Sequence, residues 1–173
     1  HLYGALVHGR DAYAFTITDH EAQGHNSSIQ VLHYILVQIV QKGKVPSVLK
    51  LQLDNTTKQN KGQYVFAYLS MLIEYGIFEN IEVSYLPVGH THEDIDQFFS
   101  RVSVYCRHHN ALDTEALREC IRLAYKKYGC CPIVTGWDTV ANLSDFVPLA
   151  TTSTAHKAIY PYYHPRLVKA KKS

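Results

Sequence analysis

The chain has 173 residues, 46% of them hydrophobic and 18% charged, with a formal net charge of +2. That length and apolar fraction are enough to bury a core without disulfide or metal staples, and they exclude a disordered chain. The charge is too small to demand a polyanionic partner, and no apolar run reaches the roughly 20 residues a membrane-spanning helix needs.

The opening, HLYGALVHGRDAYAFTITDH, holds two β-rich runs, Leu2–Val7 and Ala12–Thr18, and the turn His8-Gly9-Arg10-Asp11 between them predicts a hairpin. It starts without Met and already inside a strand, so the sequence reads as an excerpt from a longer protein, with no secretory leader in view. Ile29, Leu32, Ile35, Leu36 and Ile39 then repeat at helical spacing, with Asn26 or Ser27 as the expected cap and Lys42-Gly43-Lys44 as the stop. Val48, Leu49, Leu51 and Leu53 predict a buried strand that ends at Asp54. GQYVFAYLSMLIEYGI is apolar around most of a helix, which implies burial under other layers.

IEVSYLPV is a further strand, ended by Pro87. EDIDQFFSRVSVYCRHH sets Ile95, Phe98, Phe99, Val102 and Cys106 on one helical face, and DTEALRECIRLAYKKYG opens on an Asp113 cap and closes at Gly129. CPIVTGW and DFVPL read as short strands or extended segments. The order β-β-α-β-α-β-α-α predicts an α/β domain with helices packed on a central sheet, spanning residues 1–150. Residues 151–173 form an extended tail in which Tyr160, Tyr162 and Tyr163 either stack on bases or pack across the core. Its basic end, HPRLVKAKKS, suits either a phosphate contact or plain solvation.

Cys106, Cys120, Cys130 and Cys131 make no CxxC pair and lack structural-zinc spacing. Cys106 and Cys120 fall on apolar helix faces, so buried free thiols in a reducing compartment, nuclear or cytoplasmic, are expected.

The chemistry concentrates in two places. Asp54 closes one strand, and ligands of α/β sheets bind outside the carboxyl ends of strands. The stretch LPVGHTHEDIDQFF follows the next strand, so Asp94 and Asp96 can converge with Asp54 if the two strands run parallel. Carboxylates so gathered suit Mg²⁺ or Mn²⁺. The bland reading also fits: Glu93 and Asp94 suit a helix's positive end, and Asp54-Asn55 suits a turn closing a strand. Asp96 lies one turn in, on the face of Ser100 rather than Phe99. His90 and His92, spaced H-x-H, offer a zinc site with a carboxylate, or else a helix cap and a loop hydrogen bond.

Two linked stretches, LQLDNTTKQNKGQYVFAYL and YLPVGHTHEDIDQFFSRVS, resemble a domain of transposon-associated eukaryotic proteins. Its signature is approximately D-N-x(3)-Q-N-K followed by G-H-T-x(4)-D. The resemblance covers roughly Leu2 to His109, together with the segment around SDFVPL, and implies a ribonuclease H-like fold of the DDE/DDD transposase and integrase type, a mixed sheet with helices on both faces. It implies Asp54 as the second acidic residue and Asp96 as the third, with Asn55, Gln59, Asn60 and Lys61 as the polar run after the second acid. His90 and Thr91 match its G-H-T turn, beside His92. The first acidic residue would lie on a strand ahead of the hairpin, absent from this chain; Glu21 is a weaker fourth candidate, at a position where related sequences often carry an acid.

The resemblance implies phosphodiester cleavage or strand transfer on DNA by two-metal carboxylate chemistry, with Mg²⁺ or Mn²⁺ held by Asp54 and Asp96; Asp94, from its place beside Asp96, and Glu21 are the further candidate ligands. Lys58 and Lys61, beside Asp54, would contact phosphates. A domesticated, inactive module that binds DNA or protein is the alternative, and a zinc-dependent hydrolase built on His90, His92 and Asp96 a third. Such cores commonly work as homo-oligomers, although the sequence shows no heptad or other interface signature.

Overall fold

The structure, a computed structural model, describes residues 1–18, 24–43, 45–54, 60–85, 94–126 and 131–142. They form an α/β protein of order β1 (Leu2–Leu6), β2 (Ala12–Ile17), α1 (His25–Gln41), β3 (Val48–Leu53), α2 (Gln63–Glu74), β4 (Asn80–Tyr85), α3 (Asp94–Arg107), α4 (Thr114–Lys126) and β5 (Ile133–Trp137). Two compact units result: His1–Ala22 with Gly89–Val140, and Gln23–Val88 with Ala141–Ser173. The expected DFVPL segment and the tail lie outside the described residues.

In the first unit the expected hairpin forms. Gly9, at φ 75°, turns the chain where an L side chain would be strained, and Val7 N–H donates to the Asp11 carbonyl at 2.9 Å. β1 runs antiparallel to β2, and β5 lies parallel to β2 on its other side. The register puts Leu2, Gly4, Leu6, Ala12, Ala14, Thr16, Val134 and Gly136 on one face. Helices α3 and α4 pack there, burying Phe98, Val102, Ile121, Ala124 and Tyr125 with Ala14. The α3 face predicted from Ile95, Phe98, Phe99, Val102 and Cys106 is the face that packs. On the opposite face of β2, Tyr13, Phe15 and Ile17 are also buried, and Phe15 stacks on Trp137 with centroids 4.9 Å apart. Asp113 caps α4 as expected, its carboxylate accepting from Ala116 N–H at 2.7 Å.

The second unit is a parallel β3–β4 pair covered by α1 and α2. Leu49, Leu51 and Leu53 stand opposite Ile81, Val83 and Tyr85 and face a core that includes Ile29, Leu36, Val65, Leu69 and Leu72. The other face pairs Lys50 with Glu82, whose Nζ and carboxylate oxygen are 3.5 Å apart, and Gln52 with Ser84. Helix α2 is buried along most of its length, as its apolar circumference implies.

Three expectations need correcting. The strand at Val48–Leu53 is buried on one face only: Val48, Lys50 and Gln52 are exposed, because among the described residues no second layer covers that side. The described strands also form two sheets, β1-β2-β5 and β3-β4, instead of one central sheet. Alternation tells which face of a strand is apolar but not which strand lies beside it. Finally, Gly24 and not Asn26 or Ser27 is the N-cap of α1, and it makes no side-chain cap bond. Asn26 instead donates through Nδ2 to Asn142 Oδ1 at 3.1 Å, and Ser27 is buried in the first turn.

Of the cysteines, Cys106, Cys120 and Cys131 are free thiols. Cys120 is buried as expected, whereas Cys106 is only partly covered and Cys131 is exposed. Partial burial and the adjacent Cys120 thiol still push the Cys106 thiol up, away from its reactive thiolate form. No helix among the described residues is long and apolar enough to cross a membrane.

Candidate functional site

Parallel pairing sends β3 and β4 in one direction, so both carboxyl ends, Leu53 and Tyr85, meet at one edge of the second unit. Asp54 follows Leu53 directly and is exposed. The same edge receives the start of α2, since only the short segment 54–62 separates β3 from that helix. It also receives the start of α1: the His25 ring stacks on Tyr64 with centroids 4.4 Å apart, and a Cβ on Gly62 would sit 3.8 Å from the His25 Cβ. Two helix N-termini, opened by Gly24 and Gly62 in extended backbone, therefore bring their positive ends to the strand ends that carry Asp54.

The residues around Asp54 are tied together. Asn60 Nδ2 donates to the Asp54 carbonyl at 3.1 Å, and the Tyr85 hydroxyl donates to the Asn60 carbonyl at 3.0 Å. Lys61 places its ammonium over the Tyr85 ring, 4.9 Å from the centroid. A carboxylate, an amide and a lysine expected from the sequence thus gather at one strand edge, with the Asp54 side chain in solvent and its backbone fixed by a neighbour. Lys61 itself is partly buried.

Asp94 and Asp96 are both exposed and both belong to the first turn of α3 in the first unit, so Asp96 does not lie one turn in as expected: the helix starts at Asp94. Their position is electrostatically favourable for any acid at a helix start. Asp96 shares its solvent-facing stripe with Ser100, as the helical spacing implies, while Phe98 turns inward. The other expected site residues, Glu21, Asn55, Lys58, Gln59, His90, Thr91 and His92, lie outside the described residues. Among the described residues, no three His, Cys, Asp or Glu side chains are grouped where they could hold a metal ion. Asp54, Asp94 and Asp96 are exposed carboxylates, the type of oxygen ligand that hard divalent cations take.

Tyr85, His25 and Tyr64 were not legible as site residues. Tyr85 continues the alternation of Ile81 and Val83 and so reads as one more inward strand position. Only the register, which sets it opposite Leu53, shows that it stands next to Asp54.

A family model described as "Domain of unknown function (DUF7869)" matches residues 1–169. No curated protein and no solved structure matches the chain.

Proposed function

We propose that the chain, which belongs to the DUF7869 family, is the core of a transposase- or integrase-like enzyme that cleaves or rejoins DNA phosphodiesters, acting in the nucleus or cytoplasm. The observation that carries this reading is Asp54: an exposed carboxylate at the carboxyl end of a parallel strand, anchored by Asn60 and flanked by Lys61. An antiparallel hairpin, a parallel strand pair and helices between them are the parts a ribonuclease H-like fold is built from, and they support that finer description.

In this reading Asp54, Asp96 and Asp94, with Glu21, supply the oxygen donors for Mg²⁺ or Mn²⁺. When bound, such a metal pair lowers the pKa of an attacking water and stabilises the leaving oxygen. The residues of the chain do the rest. Asn60 holds the Asp54 backbone, and Lys61, with Lys58 beside it in sequence, neutralises phosphate charge on the DNA strand. Sharing of the polar work by Asn55, Gln59, His90, Thr91 and His92 follows from the same resemblance. The zinc-hydrolase reading would need His90 and His92 as nitrogen ligands beside Asp96.

The test is cleavage and strand transfer by the purified protein with Mg²⁺ or Mn²⁺. Asp54→Asn and Asp96→Asn should each abolish both reactions while leaving the circular dichroism spectrum unchanged. Full activity in either variant would remove the mechanism. DNA binding without cleavage by the unmodified protein would instead mark an inactive module that has kept the surface and lost the chemistry.

A further inference from the structure

We propose that the carboxyl end of α3 and the connection after it bind single-stranded nucleic acid, with the His109 ring as a platform for one base and Arg107 and His108 as phosphate contacts. The proposal goes beyond the strand-edge reading of Asp54: it concerns the first unit and requires neither a metal nor cleavage.

His109 is an ordered ring on the surface. Its imidazole lies flat on the Tyr105 ring, with centroids 3.9 Å apart and planes 2° from parallel. Its Nδ1 donates to the Tyr105 carbonyl at 2.9 Å, since a carbonyl can only accept. One contact fixes the plane of the ring and the other its rotation within that plane. Tyr105 covers one face of the imidazole, yet the residue is exposed, so the second face is left to solvent. A flat π-face held in place beforehand stacks on a base of any identity, with no side chain left to order on binding.

The surroundings suit an anionic strand. Between Asp96 and Asp113 the chain holds no acidic residue, and Asp113 is engaged as the cap of α4. Arg107, in the last turn of α3, and His108 after it are both exposed. Val104, next to Tyr105, is 52% exposed, and Leu112, in the same connection as His109, is 90% exposed. Cations among open apolar groups match a ligand that presents both phosphates and bare base faces. A single strand does so, whereas a duplex keeps its base faces stacked inside. The negative end of α3 accounts for Arg107 and for the His109 bond to a terminal carbonyl. It does not account for the parallel stack on Tyr105 or for a leucine left in solvent.

The experiment follows the fluorescence anisotropy of a labelled oligodeoxythymidine, and of a duplex of equal length, with the full chain in EDTA over a series of salt concentrations. The unmodified chain should bind the single strand more tightly than the duplex. His109→Ala should weaken the single-strand complex about fivefold, the lower end for loss of one stacked base, and His109→Phe, which keeps a flat ring, should restore it. Arg107→Gln should also weaken it and lower the salt slope by about 0.7, one phosphate contact on a single strand.

Unchanged single-strand affinity in His109→Ala would overturn the proposal. So would equal losses in His109→Ala and His109→Phe with equal drops in Tm, which would mark the ring as a helix cap only. Should neither histidine variant fold, Arg107→Gln decides, and an unchanged affinity and slope overturn the proposal. Asp54→Asn should bind the single strand as the unmodified chain does; a loss as large as that of His109→Ala would move the strand to the β3 edge and overturn the assignment. Full cleavage by Asp54→Asn, in contrast, sinks the strand-edge reading and leaves this one standing. His109-dependent binding of phosphatidylserine vesicles without any single-strand binding would assign the surface to a lipid headgroup and overturn the proposal.

Discussion

Arg118 lays its guanidinium directly over Gly136, and its Nε donates to the hydroxyl of Thr16 at 2.7 Å. Gly136 and Thr16 are register partners on β5 and β2, so one side chain from α4 straps two strands of the sheet. Glu115 steadies the strap from the outside, accepting from Arg118 Nη1 at 2.8 Å. A Cβ at Gly136 would collide with the guanidinium, and the strap could move only by abandoning a hydroxyl in a residue that is 2% exposed.

Gly136→Ala should therefore destabilise the protein by about 1–3 kcal/mol, the range for a crowded core position or an orphaned buried polar group. Urea denaturation checks it. In an Arg118→Ala background the same substitution should cost much less, because the colliding atoms are gone; equal costs would show that the strap is not what Gly136 accommodates.

Gly4 has the same function under α3. A Cβ there would stand 2.7 Å from Phe99 Cζ and 3.2 Å from Ile95 Cδ1. Gly4→Ala should cost about 1–3 kcal/mol by overpacking, and Phe99→Leu should recover part of it in the double variant. Thermal unfolding of the four proteins in the cycle measures the coupling.

Acidification should loosen α4. Hydrogen bonds from Arg118 and Arg122 hold the Glu115 carboxyl below the usual glutamate range. A folded pKa below the unfolded one contributes stability that is present above the unfolded value, about 4.3, and is lost as pH falls through the folded value. Stability should drop as pH is lowered below that range, and Glu115→Gln should flatten the slope. Glu115 is fully exposed, so the effect should also shrink in high salt.

At the alkaline end Tyr68 acts in the opposite sense. It is 3% exposed and shares a 3.0 Å hydrogen bond with His33, and burial pushes its hydroxyl far above the usual tyrosine range. With the folded pKa raised, the native state holds the proton longer than the unfolded chain. The contribution is intact below about pH 10 and declines as pH rises past it. Tyr68→Phe should cost about 1 kcal/mol at neutral pH, the net worth of one hydrogen bond, and should lessen the loss above pH 10. Denaturation at the two pH values separates the terms.

Lys61→Glu should weaken DNA binding and reduce its salt slope by about one counterion or more, the signature of a phosphate contact. An unchanged slope would put the nucleic-acid surface elsewhere.

Much of this was readable from the residues alone. Helical spacing from Ile29 to Ile39 and from Ile95 to Cys106 placed α1 and the inward face of α3, since an amphipathic stripe has one stable orientation against a core. Asp113, three residues ahead of Ala116 N–H, marked the start of α4 because an N-cap is a local bond. Asp54 was found at a strand end because the apolar alternation stops there. What local pattern could not supply was pairing. The register of β3 against β4 puts Tyr85 beside Asp54, and that of β2 against β5 puts Gly136 under Arg118. Both depend on hydrogen bonds between strands far apart in the chain, and the residues they join carry no mark of it. Composition and periodicity determined which segments are helices and strands and which face of each is apolar. Only the tertiary structure decided which side chains meet, because a ladder bond is a property of two backbones and is written in neither sequence separately.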